Sequence, residues 1–236
     1  MPAKQSADAR RQQWLFEKER RELQRALPKA VRAAAKNSGW RTSQGVLFRE
    51  FNGWFLQVWG TPWVIEAKTP ARLHCKPMGL DPIFWGLTDL ENNNNQPLSF
   101  RAFGAFTCRT PALREIETVE ETGSSQHIAE NLLDWANEQL QSLDGVLTLD
   151  AFVGFIRTHP DQLERLSYLA PLICGMLLQE KYEDALALCK EIKAQHGGGI
   201  FYGGGGFAFN INGKHSSFTD LAIEQISSRL KARLIH

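Results

Sequence analysis

The chain has 236 residues, 43% of them hydrophobic and 22% charged, enough apolar material for a packed core and too little charge bias for wholesale disorder. Its 27 basic and 26 acidic side chains nearly cancel, which excludes a uniform polyelectrolyte that coats nucleic acid or an anionic membrane over its whole surface. No run of about 18 apolar residues occurs, and Met1 to Arg25 is charged throughout without the apolar segment of a secretory signal, so a cytoplasmic location with no membrane contact is expected.

By segment the charge is far from balanced. Residues 1–36 hold ten Lys/Arg against four Asp/Glu, residues 37–114 eight against five, and residues 115–236 nine against seventeen. The chain is basic in front and acidic behind. The same boundaries divide it by character into a basic leading helix (1–36), a Trp-rich antiparallel sheet (37–114) and an acidic, mainly helical region (115–236).

Leu23, Leu27, Ala30, Val31 and Ala34 recur at three- and four-residue steps and predict a helix over 7–36. Pro28 should kink it or open a second segment, and Asn37-Ser38-Gly39 should stop it. Next, Val46–Phe51 and Trp54–Trp59 flank Asn52-Gly53, the dipeptide that best accepts positive φ at both centres of a type I′ turn. Further strands are expected at Trp63–Ala67, Leu73–Cys75 and Leu98–Thr107, completing a meander of four to five strands. Asp81-Pro82-Ile83-Phe84-Trp85 predicts a short helix capped by Asp81. Asn92 to Asn95 read as a loop tip with left-handed residues. From Glu115 onward the expectation is helical: one stripe from Ile128 to Leu143, another at Phe152, Phe155 and Ile156, a helix pair over 163–178 and 182–192, and a last helix near Ser217–Leu234. Phe207 to Ile211 predicts a strand. The fold class is therefore α+β, with an N-terminal helix, the meander sheet, and a C-terminal helical half carrying one or two extra short strands.

No pattern declares a catalytic centre, and none calls for a cofactor or metal. Gly203 to Gly206 followed by Gly213-Lys214-His215-Ser216 misses the phosphate-loop spacing and puts His215 where a hydroxyl should meet magnesium. The six histidines include no i, i+4 pair. Cys75, Cys108, Cys174 and Cys189 fall at no CxxC spacing and predict reduced, buried thiols. Five of the seven tryptophans lie between Trp40 and Trp85; with Arg41, Arg49, Arg72 and Arg101 they form a base-stacking platform if exposed, and core if not.

The runs Gly45–Arg49, Asn52–Phe55, Lys76–Met78, Asp81–Trp85 and Pro97–Phe106 resemble a group of bacterial α+β domains of unknown function, in which a leading helix precedes an FxR-like strand and a curved antiparallel sheet. Some members look like immunity proteins encoded beside secreted antibacterial toxins. The likeness covers about 30–115. It implies a non-catalytic protein that neutralises a cognate toxin or effector by direct binding.

The acidic surplus then supplies a docking surface, with Glu115, Glu117, Glu120, Glu121, Asp134, Glu138 and Asp144 complementing a basic substrate groove as phosphate would. Two other classes stay open. The basic helix and aromatic sheet fit a nucleic-acid-binding module, whose affinity falls steeply with salt. The polar residues of the distinctive motifs, Lys76, Asp81 and Arg101 beside Arg49, Trp54 and Trp85, fit an enzyme if they converge in a deep pocket, and an ion pair pinning loops to the sheet if they do not.

Overall fold

A computed structural model describes residues 7–60, 70–104, 107–117, 124–159, 168–196, 209–211 and 214–233. The α+β class is as expected. A long helix, α1 (Ala7–Ala34), leads into β1 (Arg41–Ser43), β2 (Val46–Phe51), β3 (Trp54–Gly60) and β4 (Ala71–Pro77). Next come α2 (Leu80–Leu87), a 3₁₀ turn (Glu91–Asn95), α3 (Phe100–Phe103) and β5 (Arg114–Ile116). The remainder comprises α4 (Ser125–Ser142), α5 (Leu149–Thr158), α6 (Leu169–Leu178), α7 (Tyr182–His196), the strand pair β6 (Phe209–Ile211) and β7 (Lys214–Ser216), and α8 (Phe218–Arg233). The five strands β1 to β5 form an antiparallel sheet in sequence order, and β6 pairs antiparallel with β7.

Turn chemistry sets the register of the sheet. Asn52 and Gly53 hold φ of 49° and 79°, and Gln44 and Gly45 hold 49° and 84°, so two tight turns with positive φ at both centres join β1 to β2 and β2 to β3. At 45 the backbone conformation alone asks for glycine, since a Cβ there would make an ordinary contact 3.5 Å from the Pro28 ring. Along β4, buried Ala71, Leu73 and Cys75 alternate with exposed Arg72 and half-buried His74, the period of a strand with one covered face.

The chain divides into two units. The first comprises Met1–Phe51, Phe55–Cys75 and Ala112–Asp144. In it Leu27, Ala30 and Val31 of α1 pack against α4, whose inward stripe is Ile128, Ala129, Leu132, Trp135 and Ala136. The helix runs through Pro28 as one element. Its N-terminal part is different: every described side chain from Asp8 to Ala26 is exposed or half-buried, including Trp14 and Leu15. The second unit comprises Asn52–Trp54, Lys76–Pro111 and Gly145–His236. Its centre is α6, buried from Leu169 to Leu177 and therefore apolar on all sides. Helices α2, α5 and α7 pack on it, and α8 packs on α2 and α7. Phe84 stacks on Phe218 at 5.6 Å. Gly175 admits α5 so closely that a Cβ would sit 2.9 Å from Val153 Cγ2.

Three local expectations are corrected. The described part of Leu98–Thr107 holds no strand: the amides of Phe100, Arg101 and Ala102 donate to the carbonyls of Pro97, Leu98 and Ser99, winding Phe100–Phe103 into α3, where Arg101 meets a distant carboxylate described below. The four asparagines form a 3₁₀ turn, held in part by Asn94 donating to the Glu91 carbonyl at 2.9 Å; the left-handed residue is Asp89, φ 58°. Helix does not begin at Glu115, because Arg114–Ile116 pairs with Leu73–Ala71 as an edge strand. The helix at Asp81 forms, but starts two residues earlier, with Gly79 in place of Asp81 at its N-cap position. The predicted strand at Trp63–Ala67 and the glycine run 203–206 lie outside the described residues.

Candidate functional site

Lys76, Asp81 and Arg101 do converge, within the second unit. Lys76 is the next-to-last residue of β4, Asp81 lies in the first turn of α2 and Arg101 is on α3. Lys76 Nζ is 2.9 Å from both carboxylate oxygens of Asp81, and also donates to the carbonyls of Cys108 at 2.9 Å and Arg101 at 3.1 Å. An ammonium has three protons, so these acceptors use its full capacity. Asp81 additionally accepts from the Cys108 amide at 2.8 Å and from Arg101 at 3.1 Å. Arg101 reaches on to the Met78 carbonyl at 2.9 Å and lies over the Trp85 ring at 5.5 Å.

Burial decides what this cluster is. The side chains of Lys76, Asp81 and Arg101 are 5%, 0% and 14% exposed. Charges taken this far out of water persist only with their hydrogen bonds filled, and here the fillers are backbone groups at 78, 101 and 108. The three side chains therefore pin two loops to the end of β4. This is the geometry of an ion-pair network holding loops.

The other motif residues have packing roles. Trp54 meets Phe152 edge-on at 5.7 Å, and Trp85 is fully buried. The Arg49 guanidinium lies over Trp40 at 5.6 Å and Phe51 at 6.0 Å, with its Nε buried and without a hydrogen-bond partner. Trp40, Trp54 and Trp85 are 5%, 8% and 1% exposed while Trp59 is 37% exposed, so among the described tryptophans of this stretch core filling outweighs any stacking platform.

Burial favours the protonated form of the Cys75, Cys108 and Cys189 thiols. All four cysteines are buried and outside any disulfide. Burial pushes Cys75 and Cys189 up to about 12; burial and then a hydrogen bond with Cys174 push Cys108 well above the ordinary thiol range. Among the described residues no group of three or more His, Cys, Asp or Glu could hold a metal ion.

The predicted acidic surface is divided by the structure. Glu120 and Glu121 lie outside the described residues. Glu115, on the edge strand, is tied to Arg72 at 2.7 Å, and Glu117 is exposed just beyond β5. Asp134 and Glu138 are exposed on α4, and Asp144 is exposed after its end. Sequence reasoning passed over Glu130, although it sits four residues before Asp134 and is also exposed. Glu130, Asp134 and Glu138 thus form one row at i, i+4 and i+8, with no cation paired to them among the described residues. No described helix is long and apolar enough to cross a membrane. No family model, curated protein or solved structure matches the chain.

Proposed function

We propose that this is a non-catalytic binding protein, an immunity-type inhibitor that neutralises a cognate toxin or effector in the cytoplasm by occupying it. The observation that carries this reading is the acidic row of α4. Like charges at i, i+4 cost about 0.2–0.5 kcal/mol per pair in an exposed helix, and Glu130, Asp134 and Glu138 accept that cost twice without a packing return, since all three face solvent. Asp144 extends the negative charge past the helix end. Such a ridge complements the cationic groove of an enzyme that handles phosphates, where it speeds encounter and rejects wrong partners. The closed network of Lys76, Asp81 and Arg101 fits the same reading: the most distinctive polar motif holds the scaffold, leaving recognition to the surface.

The test uses the purified product of the neighbouring open reading frame. Surface-plasmon kinetics against the full chain and against Glu130→Lys/Asp134→Lys/Glu138→Lys should show association slowed by about tenfold or more, with much of the salt dependence gone. Equal rates for both proteins would remove α4 from the mechanism, and no binding by the wild-type chain would remove the inhibitor reading.

A further inference from the structure

The C-terminal end of α1 carries a concavity made of charges of the opposite sign. This open groove, about 520 Å³ in volume, is lined by Lys29, Arg32, Lys36 and Arg41 around Trp40, and no acidic residue lines it. That volume is in the range of small-ligand sites. Lys29, Arg32 and Lys36 follow each other at three- and four-residue steps, so they share one face of the helix end and the turn after it. Arg41 reaches the same groove from β1. All four are exposed, and none has a carboxylate partner among the described residues.

Favourable interaction with the carbonyl end of a helix accounts for a cation such as Arg32 in its last turn. It does not account for Arg41, which belongs to another element. A second observation concerns Trp40 itself: the Arg49 guanidinium lies on its ring with a buried, unpartnered Nε. Gly39, φ +83°, lies alongside, where a Cβ would be 3.4 Å from the nearer terminal nitrogen of Arg49, an ordinary contact. Four cations of the groove, without a counter-ion among the described residues, and the Arg49 guanidinium on its ring therefore surround Trp40.

We propose that this groove binds a phosphate-bearing anion. Arginine forks and lysine point charges together match the oxygens of a di- or triphosphate, and the free nucleotide and the nucleic-acid backbone both present that chemistry. The site uses none of the acidic residues of α4 and stands independently of the inhibitor reading.

Isothermal titration of the full chain with inorganic pyrophosphate, with ATP and with a single-stranded oligonucleotide, at about 50 and 200 mM salt, reads the site directly. Saturable binding that weakens about tenfold in Arg32→Glu and again in Arg41→Glu is expected, while Arg10→Glu, on the exposed start of α1, leaves it unchanged. Binding of ATP or pyrophosphate but not the oligonucleotide assigns the anion to a free ligand. Oligonucleotide binding that pyrophosphate displaces assigns it to a nucleic-acid backbone. The proposal is overturned if none of the three binds at the lower salt, or if binding survives both charge reversals. The altered side chains are exposed, and unchanged circular dichroism shows that each variant is folded.

Discussion

The charged groups of the two units are used in opposite ways. In the second unit Lys76, Asp81 and Arg101 are buried, mutually paired and saturated by backbone partners. In the first, Glu130, Asp134 and Glu138 on one helix, and Lys29, Arg32, Lys36 and Arg41 around one groove, are exposed and stand beside charges of their own sign. A buried charge must be paired for the fold to exist. An exposed row of like charge buries no apolar area and repels itself, and the proposed binding role gives it a use.

Removing the centre of the buried network gives the largest expected effect. Asp81→Ala leaves two buried cations and the Cys108 amide without an acceptor, and should lower unfolding free energy by about 3–5 kcal/mol, measured by urea denaturation. A loss under about 1 kcal/mol, the range of surface pairs, would break the contrast between the units.

A partly exposed pair should fall between the extremes, with an effect present at neutral pH and lost in acid. Asp220 opens α8, where it accepts from the Ser217 hydroxyl at 2.7 Å and faces Lys193 at 2.6 Å. Burial raises its carboxyl, but hydrogen bonding and charge from Lys193, together with Ser217, outweigh this and hold it below the ordinary value. Its folded value being the lower one, the associated stability is complete above the unfolded value, about 3.9, and disappears as pH falls through the folded value. Asp220→Asn should therefore reduce the melting temperature at neutral pH and make the acid limb of the melting profile shallower.

The exposed pair Arg72–Glu115 should contribute less still. Both side chains are 48% exposed, and a double-mutant cycle should return a coupling of about 0.2–1 kcal/mol that fades with salt. A coupling as large as that of the buried network would mean that position on the edge strand, not burial, sets the value of a charge here.

The same contrast explains what was legible in the sequence. The Asn52-Gly53 hairpin was readable because its conformation is decided by two adjacent residues, and the stripes of α1, α4 and α5 because apolar spacing reports burial directly. The helical form of Phe100–Phe103 was not readable, because Arg101 is recruited by Asp81, twenty positions earlier, and that contact overrides the β propensity of its aromatic neighbours. Strands β1 and β5, three residues each, are too short to show a period. The sequence brought Lys76, Asp81 and Arg101 into one hypothesis, yet only burial separates a pocket from a closed network. Glu130 was within reach at the spacing of Asp134 and Glu138. The basic groove was not, since it needs Arg41 of β1 folded back beside the end of α1.

The central claim is that the acidic row of α4 serves binding and contributes nothing to the fold. Urea denaturation of Glu130→Gln/Asp134→Asn/Glu138→Gln tests it most directly, since neutralising the row removes repulsion and leaves the packed face of α4 intact. The expected midpoint is unchanged or raised, by an amount equivalent to about 0.4–1 kcal/mol for the two like-charge steps. A midpoint lowered by an amount comparable to that of Asp81→Ala would show that these carboxylates hold the structure together, and would contradict the division of labour between the two sets of charges.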